Sequence, residues 1–329
     1  MKKISLLVYE DAILSCVTGT LDMLVRTNRM LESMGKPPAF EVSLVCEKKE
    51  NNPLLITAPG VRCKTLKEVT HTDLIIAPAF NGLPDPILQK NIALVHWIQV
   101  MHNRGVEVAS LCFGSYFLAE SGVLAGKSCT SHWMALDDMR ERYPDVKMLS
   151  DMVITDQEGI YTSGGAFSSL NLVLYIIEKF CGREVGIMVS KMFSIDMDRT
   201  SQSHFAVFQG QRKHDDEDIR RAQMFIEENY HRQISVEEIA EQSNMSKRNF
   251  IRRFKKATQN TPLEYLQRVK IESAKKALER SSQDISSLMY DVGYNDVKTF
   301  RMIFKRITGL TPQEYQRKYN RAAVLAQAV

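Results

Sequence analysis

Cys112 and His132 are the residues of this chain best placed for covalent chemistry. The apolar run Glu107-Val-Ala-Ser-Leu-Cys112 reads as a buried strand that delivers Cys112 into Phe113-Gly114-Ser115 and then a helix. A thiol at such a strand-to-helix turn lies at a helix N-terminus, which lowers its pKa and favours the nucleophilic thiolate. Twenty residues on comes Thr130-Ser131-His132-Trp133, whose imidazole is a second candidate for the same site. A second chemistry is ionic. Lys247-Arg-Asn-Phe-Ile-Arg-Arg-Phe-Lys-Lys256 holds six basic residues and no acid. Arginine can place two donors on guanine O6 and N7, worth about 1–3 kcal/mol of base discrimination, whereas lysine suits phosphates. All six cysteines (Cys16, Cys46, Cys63, Cys112, Cys129 and Cys181) precede residue 182, and none are paired at metal-ligand spacing. No metal, cofactor or disulfide is expected, and the cysteines other than Cys112 read as reduced core.

The elements that position Cys112 alternate. Ile4–Tyr9, Phe40–Cys46, Leu74–Ala77 and Val106–Leu111 read as short strands, and Leu14–Met30, Leu88–Asn103, Gly114–Ser121 and Leu170–Phe180 as helices. Such alternation predicts a parallel sheet covered on both faces, with ligands at the carboxyl ends of its strands.

The basic helix belongs to a unit that occurs twice. Phe254-Lys-Lys-Ala-Thr-Gln-Asn-Thr-Pro-Leu-Glu-Tyr265 recurs 50 residues later as Phe304-Lys-Arg-Ile-Thr-Gly-Leu-Thr-Pro-Gln-Glu-Tyr315, identical at seven of twelve positions. Each copy follows a short apolar helix, a turn and a basic helix, so two helix-turn-helix units are predicted at 234–257 and 285–307. Ser235 with Glu238 makes a capping-box pattern, Ser246 can cap the basic helix, and Gly293 can take φ > 0 in the second turn. Phe250 and Phe254, repeated as Phe300 and Phe304, anchor the basic helices to a core. Thr261-Pro262-Leu263-Glu264 starts a long helix to about Leu278 that would fix the spacing of the two units. Candidate DNA-contacting residues are Lys247, Arg248, Asn249 and Arg252 in the first unit and Lys298, Thr299 and Arg301 in the second. Of these, Arg248 and Arg252, with Lys298, Thr299 and Arg301, are the candidates for base contacts. Lys247, Lys255 and Lys305 suit phosphates.

At 329 residues the chain has room for two domains. Residues 216–329 hold 21 Lys+Arg against 15 Asp+Glu, and residues 1–215 hold 22 against 24, so a basic back half follows a slightly acidic front. This favours a polyanion as partner of the back half. Boundaries are expected at 1–195 for the front domain, 196–217 for a polar linker that Phe205 and Phe208 can dock, and 218–320 for the back domain. No apolar run reaches the ~18 residues of a membrane span. Lys2-Lys3 before Ile4–Tyr9 is followed by Glu10-Asp11, which suits a first strand better than a signal peptide, and a cytoplasmic location is expected.

Residues 218–320 resemble the AraC-type DNA-binding domain, through the two Phe-Lys helix ends, Gly293-Tyr294 and Thr308-Gly-Leu-Thr-Pro-Gln-Glu-Tyr315. The resemblance implies that both basic helices enter successive major-groove segments of one double-stranded DNA operator, about 34 Å apart. Two residues before its final Phe that pattern carries Arg; Arg252 keeps it and Met302 departs from it. Residues 1–190, most specifically Leu111–Trp133, resemble the PfpI-like, class I glutamine-amidotransferase-like domain in the form fused to AraC-type domains in GlxA-like regulators. This implies a flavodoxin-like parallel sheet and a ligand pocket that includes Cys16, Cys112, Phe113 and His132. The superfamily's enzymes carry a carboxylate where Cys16 stands, and the regulators carry an aspartate where Asn171 stands. Cys112 is therefore read, in order of preference, as a packed or redox-sensitive pocket cysteine, an inert structural one, or a nucleophile; His132 is read as a hydrogen-bonding pocket or core residue before a base. Glu10 or Asp11 remains a candidate replacement carboxylate. The resemblance implies a transcription regulator without catalytic residues, with an unidentified small-molecule effector, a homodimeric state and RNA polymerase as a further candidate partner. The alternative is a cysteine-dependent hydrolase, deglycase or isomerase with a DNA-binding tail.

Overall fold

Apolar runs too short to make a buried helix become the strands of a central sheet. In the computed structural model, which describes residues 1–49, 61–212 and 214–320, the chain divides into two units at Gln202–Ser203. The first runs β1 (Lys2–Leu7), α1 (Leu14–Ser33), β2 (Phe40–Cys46), β3 (Arg62–Thr65), β4 (Leu74–Ala77), α2 (Pro84–Lys90), α3 (Ile92–Asn103), β5 (Glu107–Ser110) and α4 (Ser115–Glu120). It continues with β6 (Ser128–Cys129), α5 (Leu136–Arg142), β7 (Lys147–Met148), β8 (Ile154–Gln157), β9 (Ile160–Ser163), α6 (Ser168–Cys181) and α7 (Arg183–Phe193).

Seven strands pair in the order β3-β2-β1-β4-β5-β9-β8, and the strand direction of chain progression reverses at β1, between β2 and β4. All pairs are parallel except β8 with β9. That hairpin turns through Glu158 and Gly159, both at positive φ (52° and 78°), a geometry that matches the right-handed twist of the flanking strands. Leu6, Leu44, Leu74, Ile75, Ile76 and Val108 have no exposed surface, as expected for strands covered on both faces. The single helix expected over Leu88–Asn103 is two helices. Asn91 turns its amide back onto the Ile87 carbonyl (2.9 Å), which ends α2 one residue before α3 begins. Cys63 and Cys181 are only half-buried, so the core assignment fails for those two; all six cysteines are free.

The second unit comprises α8 (Glu217–Asn229), α9 (Val236–Gln242), α10 (Lys247–Thr258), α11 (Pro262–Arg280), α12 (Ile285–Asp291), α13 (Val297–Thr308) and α14 (Pro312–Tyr319). Its repeat is deeper than two helices. Tyr265 donates to Glu227 of α8 at 2.6 Å, and its counterpart Tyr315 donates to Glu279 of α11 at 2.7 Å. Thr261 and Thr311 open α11 and α14 with complete capping boxes to Glu264 and Glu314. Each copy is thus three helices locked by the start of a fourth, and α11 serves both as the fourth of the first copy and the first of the second. There are two cores, and α11 lies in each: Tyr265 and Leu266 pack with Phe250 and Phe254, while Ile271, Ala274 and Leu278 pack with Phe300 and Phe304. A helix embedded in both cores fixes their separation by its own rise of about 1.5 Å per residue.

The stretch expected as a linker is packed. Gln202 is buried in the first unit, whereas from the second unit Phe208 donates its N–H to Glu272 (3.1 Å) and packs against Tyr265. The buried pair Lys275–Glu272 (2.7 Å) also holds the Ala206 carbonyl through the lysine ammonium (2.6 Å). Lys213 of that stretch and residues 321–329 lie outside the described residues. No helix of the described residues is long and apolar enough to cross a membrane.

Candidate functional site

Cys112 leaves β5 in the left-handed region, at φ 57°. Strain of this kind, of order 1–3 kcal/mol on a residue with a side chain, persists only where surrounding packing holds it. Gly114 supplies the close approach: a Cβ there would lie 2.2 Å from the Ala77 carbonyl oxygen at the end of β4. The backbone N–H of Phe113 and of Ala166 both face the Cys112 sulfur. Cys16, near the start of α1, lies beside it and takes its own backbone contact from Ala79 and a side-chain contact from Ser169. The turn is therefore built like an elbow that presents a nucleophile.

The electrostatics oppose that use. Burial pushes the Cys112 thiol up to about 12, against an ordinary value near 9, and outweighs the two N–H groups. Burial also raises the Cys16 thiol, and it lowers the His132 imidazolium below its ordinary range. Both members of the pair are thus neutral near pH 7, where a catalytic dyad would hold thiolate and imidazolium. His132 accepts the Met134 N–H at Nδ1 (3.1 Å), which assigns its proton to Nε2, and stacks on Phe113 with centroids 5.2 Å apart. Gly165 lies so close that a Cβ there would collide with the imidazole at 1.8 Å. The structure thus gathers Cys16 beside Cys112, and Phe113 against His132. The candidate replacement acids are engaged elsewhere, since Lys90 pairs with Glu10 (2.6 Å) and Asp11 (3.2 Å). Asn171 donates to the Asp196 carbonyl (2.6 Å) and ties α6 to the chain after α7.

Sequence reasoning missed Gln202. Its Nε2 donates to the Ser131 and Met152 carbonyls (2.9 and 3.1 Å), and its Oε1 accepts from the Gly165 N–H (3.3 Å). It thereby braces the two segments that flank His132. A lone Gln in a polar stretch carries no periodic signal, so only the folded chain reveals it. Cavities of about 250 and 560 Å³ lie away from this site. The smaller is at the opposite, N-terminal ends of the strands, by Asp73 and Glu107, and the larger is in the second unit beside Phe208 and Glu272. Among the described residues no group of three or more His, Cys, Asp or Glu is placed to hold a metal.

On the second unit, Ser235, Ser246, Asp284 and Asp296 cap α9, α10, α12 and α13, each accepting backbone N–H groups. The expected reciprocal half of the Ser235 box is replaced, because Glu238 pairs with Arg232 (3.3 Å). Lys247, Arg248, Arg252, Lys298, Thr299 and Arg301 are exposed and Asn249 is half-exposed. Arg252 donates to Asn249 (2.9 Å), so these two side chains form one preset pair. Lys247 pairs with Glu237, and Thr299 receives its cap from Asp296. Arg253, one of the six basic residues, turns away to Asp216 and Asp218 (2.6 and 3.0 Å) and joins α10 to α8. The exposed faces of α10 and α13 are hence cationic, and their opposite faces carry the buried phenylalanines.

Residues 39–179 match the DJ-1/PfpI family, and residues 239–318 match a helix-turn-helix domain. The HTH-type transcriptional regulator GbdR of Pseudomonas aeruginosa is 26% identical over 233 residues, which are 69% of this chain and 62% of that protein. CdhR, an HTH-type transcriptional regulator of the same organism, is 24% identical over 232 residues, 70% of this chain and 68% of that protein. The match thus spans less than two thirds of GbdR. A solved AraC family transcriptional regulator from Pseudomonas putida is 16% identical at a TM-score of 0.49, covering 59% of this chain and 100% of that one. The chain thus carries a DJ-1/PfpI family match followed by a helix-turn-helix match, and it is similar to HTH-type transcriptional regulators.

Proposed function

We propose that this chain is a sequence-specific, DNA-binding transcriptional regulator whose first unit senses a small molecule and dimerises the chain. The observation that carries the reading is the duplicated three-helix unit, which presents two cationic helix faces from two cores joined by α11. A basic helix on a solvated surface needs no second copy at fixed spacing, whereas two successive major-groove segments do. The names of the relatives support the same reading. Dimerisation would pair two such readers and raise affinity through effective concentration. An effector would act by binding one arrangement of the readers better than the other. A cytoplasmic location accords with this role.

In the first unit the base contacts fall to Arg248 and Arg252, and in the second to Lys298, Thr299 and Arg301; Lys247 and Asn249 position the first helix. Cys16, Cys112, Phe113 and His132 line the effector site, with Cys112 acting as a neutral thiol. The elbow at Cys112 favours the enzymatic alternative, and the thiol near 12 weighs against it. Selection of duplexes from a random pool by the full chain tests the main reading, and a defined motif in two segments is the expected result. Equal retention of all sequences would overturn it. A turnover assay for cysteine-dependent hydrolase or deglycase activity, with Cys112→Ala as control, tests the sensor role. Activity lost in that variant would make the first unit an enzyme.

A further inference from the structure

The two basic helices share one framework and differ where they face outward. An offset of 50 residues maps α10 (Lys247–Thr258) onto α13 (Val297–Thr308). The inward positions keep their residue types: Phe250 and Phe300, Phe254 and Phe304, and Thr258 and Thr308 are all fully buried. On the outward side Arg248 becomes Lys298, Asn249 becomes Thr299, and Arg252 becomes Met302. Arg301 corresponds to Ile251, about 100° around the helix from the Arg252 position, so it does not stand in for that arginine.

Met302 is 63% exposed. Around it on the helix surface, three or four residues away, lie Lys298, Thr299, Lys305 and Arg306, all exposed. Other methionines of the chain are exposed too, Met134 and Met224 among them, but Met302 interrupts an otherwise cationic face, where it contributes no charge and carries apolar area into water. It has a fitting partner in a major groove. The groove edge of each base pair is polar, except that thymine presents a C5-methyl group. Methionine has no donor for guanine, and its unbranched, polarisable chain can cover a methyl. Thr299 adds its own methyl one turn earlier on the same face.

We propose that Met302 is a specificity-determining residue that reads a thymine C5-methyl in the DNA segment facing α13, at the position where Arg252 of α10 faces a polar base edge. This rests on the DNA-reading role proposed above. The test uses uracil, which keeps every hydrogen-bonding group of thymine and lacks only the methyl. The full chain selects duplexes from two random pools, one containing thymine and the other uracil in its place. The thymine pool should return a T·A pair fixed at one position of the second segment. The uracil pool should return the same first segment with that position degenerate. In a selected duplex, a single dT to dU change there should weaken wild-type binding about fourfold, from the loss of one buried methyl. Met302→Ala, an exposed substitution whose folding is checked by its thermal melt, should bind the two duplexes equally. Met302→Arg should move the preference toward guanine. A U·A pair still fixed at that position in the uracil pool, or full methyl dependence in Met302→Ala, overturns the inference while leaving sequence reading intact. No enriched sequence in either pool overturns the DNA-reading role itself.

Discussion

Cys112 occupies a nucleophile's backbone position and has the ionisation of a core residue. The sign of the pH dependence follows from its raised pKa: the folded chain holds the proton more tightly than the unfolded chain. The stabilisation is complete below the unfolded value near 9 and is lost as pH rises toward about 12. Urea unfolding between about pH 8 and about pH 10 should therefore show stability falling with pH, and Cys112→Ser should reduce that slope. An unchanged slope would show that the thiol titrates alike in the folded and the unfolded chain, and so is not raised by burial. The arginines make a second residue-scale prediction. Replacing Arg248 and Arg252 with Ala should relax base preference in the first segment by about 1–3 kcal/mol per contacted pair. Replacing Lys298 and Arg301 should cost less sequence preference, as measured by competition between the selected duplex and scrambled DNA. The reverse ranking would make the second unit the stronger reader.

At the scale of elements, the two glycine turns of the second copy are not equally tolerant. Gly293 has φ 77°, and a Cβ there would lie 2.6 Å from the His231 carbonyl oxygen. Lys270 also donates to the Gly293 carbonyl (2.7 Å) from within α11, so the turn is fixed from both sides. Gly293→Ala should lower stability by about 2 kcal/mol or more, from left-handed strain plus the clash. Gly309 has nearly the same φ, 76°, but its counterpart in the first copy is Gln259 at φ 56°. Gly309→Asn should therefore cost less than about 1 kcal/mol, since asparagine tolerates that region. Thermal melts of the two variants compare them directly, and equal losses would refute the distinction. Much of this was legible in the sequence: the Thr-Pro-x-Glu capping boxes, the Phe pairs and Gly293 are local signals. Helix α8 was not, because its part in the repeat is a side-chain contact, Tyr265 to Glu227, between residues 38 apart.

For the whole molecule, charge is divided between the halves, with +6 over residues 216–329 and −2 over residues 1–215, by the counts above. DNA affinity should then fall steeply with salt, and each phosphate-contacting lysine should contribute close to one counterion to the slope. Lys305→Ala should reduce the log–log salt slope by about 1 while leaving sequence preference unchanged. Binding titrations at several salt concentrations measure it, and an unchanged slope would remove Lys305 from the phosphate contacts. Arg253→Ala should leave the slope nearly unaltered, because its charge is already matched by Asp216 and Asp218.

The amino-acid sequence by itself determined the fold class of each half, the repeat and the candidate residues for both chemistries. Strand alternation, helical periodicity, capping and turn residues all act over a few neighbouring positions and can be read directly from residue types. Tertiary structure alone decided what those residues can do. The ionisation of Cys112 depends on burial and on Ala166, 54 residues away; the cation count of α10 depends on Asp216 and Asp218 of a different helix. Whether Met302 was an interior or an exterior residue also needed the packed core of α13, since methionine serves in either place. Desolvation and charge pairing are set by contacts between residues distant in the chain, and no local pattern encodes them.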